Sequence, residues 1–131
     1  MPRSVDDLLA EARSRLARLE PEEAFSEMEH GALLVDTRTL EQRLAQGDIP
    51  GSVLIDRTVF EWRLDPSSRW KIPEVVDHGT RIIVVCREGF SSSLAAATLQ
   101  QLGLRNATDV IGGFEAWREA DLPIEPCRTT V

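Results

Sequence analysis

The chain has 131 residues, 42% hydrophobic and 28% charged, with a formal charge of −7. That length fits one domain with its own core, and the acidic balance argues against a nucleic-acid partner, whose phosphates need a basic face. No apolar run approaches a bilayer span and Met1 to Asp7 holds no signal-peptide core, so no membrane partner is expected and the cytoplasm is the expected compartment.

Ser4, Asp6 and Asp7 ahead of Leu8, Leu9, Ala12, Leu16 and Leu19 predict a capped amphipathic helix running to Leu19, with Arg13, Arg15 and Arg18 toward its end. Pro21 opens a second helix over Glu22 to Glu29, which His30-Gly31 ends. Ala32 to Asp36 reads as a short buried strand. Thr37 to Gln46 reads as a short helix stopped by Gly47. A strand is expected over Ser52 to Ile55, and a helical turn over Thr58 to Leu64 that Asp65-Pro66 breaks.

The most telling segment follows. Arg81-Ile82-Ile83-Val84-Val85-Cys86 is a continuous β-branched run, as in a strand buried on both faces. Arg87-Glu88-Gly89-Phe90 leads into Ser91-Ser92-Ser93, expected to cap a helix that runs to Gly103. Ala107 to Ile111 predicts a last strand, Gly112-Gly113 a turn, and Phe114 to Ala120 a last helix. Strands alternating with helices predict an α/β fold with a mostly parallel sheet, whose ligands bind beyond the carboxyl ends of the strands. Asp36 and Cys86 both fall at that end.

A thiol at this strand-to-helix turn faces backbone N–H groups and the positive end of a helix dipole, a setting that favours thiolate and binds anions. The bland alternative is a buried structural cysteine; the glycine-containing loop after Cys86 favours reactivity. Asp36 and Arg38, two positions apart, are expected to pair with each other or with loop backbone and support the walls of the site. Trp62, Trp70 and Trp117 are expected in the core or along a pocket wall, and His30 and His78 on the surface. Cys127 is expected as a passive tail thiol, with a disulfide to Cys86 as its alternative. No CxxC or Cys/His cluster is present, so neither a metal site nor a cofactor is expected.

Four motifs occur in order: Asp36-Thr37-Arg38, Gly47-Asp48-Ile49-Pro50-Gly51-Ser52, the Cys86 loop, and Gly112-Gly113-Phe114-Glu115-Ala116-Trp117. On these the chain resembles the single-domain rhodanese family of sulfurtransferases. The resemblance implies a five-stranded, mostly parallel sheet with helices on both faces, over residues 21–123, with an N-terminal helical extension (1–20) and a tail (124–131). It also implies that Cys86 takes sulfane sulfur from a small donor and passes it, as a persulfide, to a thiol, protein or cyanide acceptor. The amides of Arg87, Glu88, Gly89, Phe90, Ser91 and Ser92 would cradle that sulfur. Many active members carry a basic residue where this chain has Ser91, and Glu88 adds an acid; Arg87 or Arg63 is the expected compensating cation. A binding or regulatory module of low activity is the rival expectation. Phosphatases of the same fold carry Cys-x5-Arg, which would put arginine at Ser92, so phosphoryl transfer is disfavoured. Oligomeric state is left between monomer and homodimer.

Overall fold

The computed structural model describes residues 1–129. Its centre is a parallel four-stranded sheet in the order β2-β1-β3-β4, made of β1 (Leu33–Asp36), β2 (Val53–Leu54), β3 (Ile82–Val85) and β4 (Thr108–Asp109). Leu33 pairs with Ile82 and Asp36 with Val85, so β1 and β3 end together. The β-branched run explains the layering. Ile82 and Val84 point into one core with Phe60, Leu64, Ala96 and Leu99, while Ile83 and Val85 point into the other with Leu34, Phe114 and Trp117. All four β3 side chains are fully buried, which a strand covered on only one face would not allow.

Among the described residues six α-helices surround the sheet: α1 (Val5–Ser14), α2 (Pro21–Glu29), α3 (Leu40–Gln46), α4 (Phe60–Leu64), α5 (Ser91–Gln101) and α6 (Gly113–Glu119), with a short 3-10 turn at Arg57–Val59 leading into α4. On one face α5 packs against β3 and β4, with α4 beside it and α1 on its outer side; on the other, α2 packs against β1 and α6. Ser4 caps α1 reciprocally with Asp7, Pro21 takes the first position of α2, and Thr39 caps α3 through Gln42.

Two expectations change. The first helix ends at Ser14 rather than running to Leu19, and the chain beyond it drops Leu19 onto the sheet edge. There Leu19 receives a hydrogen bond from Ile111 N–H (2.8 Å) and donates its own N–H to Asp109 C=O (3.1 Å), a single parallel bridge to Val110. The five strands that the resemblance implies are not all present: the sheet edge beside β4 carries this one bridge. Pro21 opens α2 two residues later, and Glu20 already serves as its cap with Glu23, so the edge cannot lengthen into a strand. The sheet therefore has four strands and one bridging residue.

The tail is fastened through Arg128. Asp48 and Glu125 exchange both backbone hydrogen bonds at 2.8 Å, and Arg128 donates to Ser52 C=O and to Ser52 Oγ. Cys127 Sγ lies 3.7 Å from Arg43 Nη1 in this network. Trp117 is fully buried, edge-on to Phe25, whereas Trp62 (58% exposed) and Trp70 (55%) flank an open surface groove with Val59 and Arg63 and lie outside the core. Among the described residues, no helix is long and apolar enough to cross a membrane.

Candidate active site

Cys86 follows directly on β3, at the carboxyl edge of the sheet, and is buried with 6% of its surface exposed. Its Sγ receives two backbone N–H groups, from Gly89 at 3.2 Å and from Ser92, in the first turn of α5, at 3.4 Å. Charge on that sulfur would be met by fixed donors and by the N-terminal end of α5. Of the six amides expected to form the cradle, these two reach Sγ itself.

The loop holds this shape through backbone contacts with the turn before α6. Phe114 N–H donates to Cys86 C=O (2.8 Å) and Glu115 N–H to Arg87 C=O (3.0 Å). Gly89 turns at φ +89° directly against Gly112 and Gly113; a Cβ on Gly89 would lie 2.8 Å from Gly112 N. Only glycine takes this conformation and this proximity without strain. The Gly-Gly motif and the cysteine loop, 26 positions apart in sequence, are thus two sides of one backbone joint.

A cavity of about 320 Å³ opens over Cys86, lined by Thr37, Arg38, Thr39, Gln42, Arg87, Glu88, Phe90 and Ser91. A second hollow of about 490 Å³ adjoins it along α3, sharing Thr39, Gln42 and Arg87. Arg87 is half-exposed and rests 3.4 Å from Glu115, with its guanidinium outside the cradle. Burial works against ionisation of Glu115, but the hydrogen bond from Gln46 and the charges of Arg118 and Arg87 outweigh it and hold the carboxyl below its ordinary value. Glu88 and Ser91 are exposed at the rim.

Asp36 and Arg38 form a wall. The Arg38 guanidinium grips both Asp36 oxygens (2.8–3.2 Å), donates to Gly47 C=O at 2.9 Å and lies 3.9 Å over the Phe114 ring, with both charged side chains wholly buried. It ties β1, the Gly47 loop and α6 together behind the cavity. Removing one partner of such a pair strands the other charge in the interior. Arg38→Met is expected to lose about 3–5 kcal/mol of stability in denaturant titration.

Arg63 does not join the group. It sits on α4, donates to Trp70 C=O at 2.7 Å, and lines the Trp62 groove rather than the cavity over Cys86. The serines also do more than expected. The cap position of α5 is Phe90, which makes no side-chain cap, while Ser92 and Ser93 each donate to Asp109 Oδ2 at 2.7 Å. Asp109 is fully buried at the end of β4 and takes a third partner, Arg18, at 2.9 Å and 3.2 Å. The one local signal for this cluster is a carboxylate inside an otherwise apolar strand segment, Ala107 to Ile111, which calls for polar partners once buried.

A rhodanese-like domain profile matches residues 20–120. The thiosulfate sulfurtransferase GlpE of Haemophilus influenzae is 34% identical over 105 residues, covering 80% of this chain and 90% of that protein. GlpE of Pseudomonas syringae pv. syringae is 38% identical over 101 residues, covering 77% and 86%. Among solved structures, a Rhodopseudomonas palustris protein of unknown function, described as a possible tyrosine phosphatase, superimposes with a TM-score of 0.86 at 32% identity, covering 95% of this chain and 96% of that one.

Proposed function

The chain belongs to the rhodanese-like domain family and is a rhodanese-type sulfurtransferase, and we propose that Cys86 is its sulfur carrier. The observation that carries this reading is the pair of N–H groups, Gly89 and Ser92, aimed at Cys86 Sγ at the floor of an open cavity. In the first half-reaction the Cys86 thiolate attacks the outer sulfur of a sulfane donor. The donor's sulfur bond breaks, its electron pair leaves with the departing group, and Cys86 becomes a persulfide. In the second, a thiol or cyanide acceptor attacks the terminal sulfur, and the electron pair returns to Sγ. The terminal sulfur lies one bond further out than Sγ, within the arc of amides from Arg87 to Ser92, which offset its negative charge.

Thiosulfate is the proposed donor, on the names of the two curated relatives, with sulfite as the leaving group. Arg87, on the cavity rim, is the cation nearest to hand for its sulfonate, and Thr37, Thr39 and Gln42 supply hydrogen bonds. A working thiol calls for a reducing compartment, which supports the cytoplasm. Incubation with thiosulfate is expected to add about 32 Da to Cys86, removed by cyanide. An unchanged mass on the fully reduced protein would overturn the reading.

Ser91 is the position where a cation would face the donor directly. It is exposed and lines the cavity, so the longer side chain has room. A charge-assisted hydrogen bond to the donor's sulfonate is strong enough that Ser91→Arg is expected to raise kcat/KM for thiosulfate about tenfold, mainly through KM. Steady-state kinetics with cyanide as acceptor read this directly.

A further inference from the structure

Two arginines from the segment that precedes the family match hold the rear of the sulfur-binding loop. Arg13 Nη2 donates to Gly89 C=O at 2.8 Å, and Arg18 Nη2 donates to the same oxygen at 3.1 Å. Arg13 also donates to Ser93 Oγ at 3.1 Å, and its guanidinium lies 5.6 Å over the Phe90 ring. Arg18, with only 15% of its side chain exposed, grips the fully buried Asp109, which in turn accepts Ser92 and Ser93. Residues 13 and 18 lie outside the family match at 20–120.

We infer that Arg13 and Arg18 are positioning residues that set the loop in its anion-receiving shape and supply, from behind, positive charge that position 91 lacks. The inference rests on the reading of Cys86 as the sulfur carrier. The peptide plane supplies the reason. The Gly89 carbonyl and the Phe90 N–H belong to one trans peptide and point in opposite directions. Two guanidiniums that draw the carbonyl rearward therefore aim the Phe90 N–H forward, to the side on which Gly89 and Ser92 meet the sulfur. Electrostatics adds a second effect. Asp109 is a buried carboxylate behind the thiolate, and Arg18 is the charge that neutralises it; without Arg18 a like charge would stand there uncompensated. The other charged groups around the loop are Arg87 and Glu88 on it, Glu115 at the rim, and the closed Asp36–Arg38 pair.

The test is the full-length chain carrying Arg13→Gln, Arg18→Gln or both. Two rates are read: alkylation of Cys86 by iodoacetamide at pH 7, and sulfur loading from thiosulfate followed by mass. The sign of the first separates positioning from mere support. A loop that only loosens exposes Cys86 and is alkylated faster, whereas loss of thiolate stabilisation slows alkylation. With a cooperative thermal transition retained, the double variant is expected to alkylate and load about tenfold more slowly, from the loss of charge-assisted hydrogen bonds to the loop. Arg57→Gln, which removes a surface pair with Glu61, leaves both rates unchanged. If Arg18→Gln does not fold, Arg13→Gln keeps the Asp109 pair and reads the Gly89 contact alone. Unchanged or faster alkylation in folded variants overturns the inference. Absence of sulfur loading in the unsubstituted chain would instead overturn the sulfur-carrier reading, leaving the alkylation result to stand by itself.

Discussion

Cys86→Ser is expected to abolish sulfur transfer while leaving the fold intact. The substitution exchanges one small buried atom for another of similar position, and the two N–H donors at 3.2 Å and 3.4 Å can still find a lone pair on the hydroxyl oxygen. Stability should therefore change by less than about 1 kcal/mol, the scale of one ordinary hydrogen bond. The chemistry does not survive. A serine hydroxyl stays protonated without an adjacent general base, and the described residues place no histidine against Cys86; His30 and His78 are both exposed and distant in role. An oxygen also forms no persulfide that an acceptor can cleave. Transfer from thiosulfate to cyanide should fall by roughly a thousandfold or more, to the uncatalysed background, and the added mass of one sulfur should vanish. Full transfer by a folded Cys86→Ser protein would remove Cys86 from the mechanism and with it the role of the loop.

The parts of this site that were legible in the sequence are those carried by local chemistry. The β-branched run before Cys86 announced a strand buried on both faces, and β3 is one. Pro21, Gly47 and the Gly112-Gly113 pair marked turns and helix ends that the structure keeps. What was hidden depends on partners far apart in the chain. Ser92 and Ser93 look like helix caps because serine usually satisfies the first free N–H groups. Here the Ser92 N–H serves the sulfur, the Ser93 N–H goes to Phe90 C=O, and the two hydroxyls take Asp109, 17 and 16 positions away. The spacing of Leu16 and Leu19 suits a helix equally well as a strand edge; pairing with Val110, a tertiary contact, decides it. Arg63 illustrates the converse error. It was a candidate for the cation missing at Ser91, but α4 turns it toward Trp70.

Gly113→Ala is expected to damage stability and activity together, because the glycine is the contact point between the two halves of the joint. Its backbone sits at φ +60°, and a Cβ there would lie 2.5 Å from Cys86 O, 2.7 Å from Gly89 N and 2.8 Å from Arg87 C. All three are backbone atoms, so no side chain can swing aside. Relief requires the loop to lift away from α6, which stretches the Phe114-to-Cys86 and Glu115-to-Arg87 hydrogen bonds and moves the Gly89 N–H off the sulfur. The left-handed backbone costs about 1–2 kcal/mol for a residue with a Cβ, and forced overlap adds a similar amount, for a total of about 2–4 kcal/mol. A displacement near 1 Å at reacting groups costs about a hundredfold in rate, so kcat per folded molecule should drop by that order. Gly31→Ala separates the two causes. Gly31 has φ +99° but no atom within 4 Å of a Cβ, so it pays only the backbone part and keeps its activity. Denaturant midpoints and transfer rates of the two variants side by side make the comparison. Equal losses in both would mean that backbone strain alone explains Gly113, and that the loop does not depend on the turn it rests against.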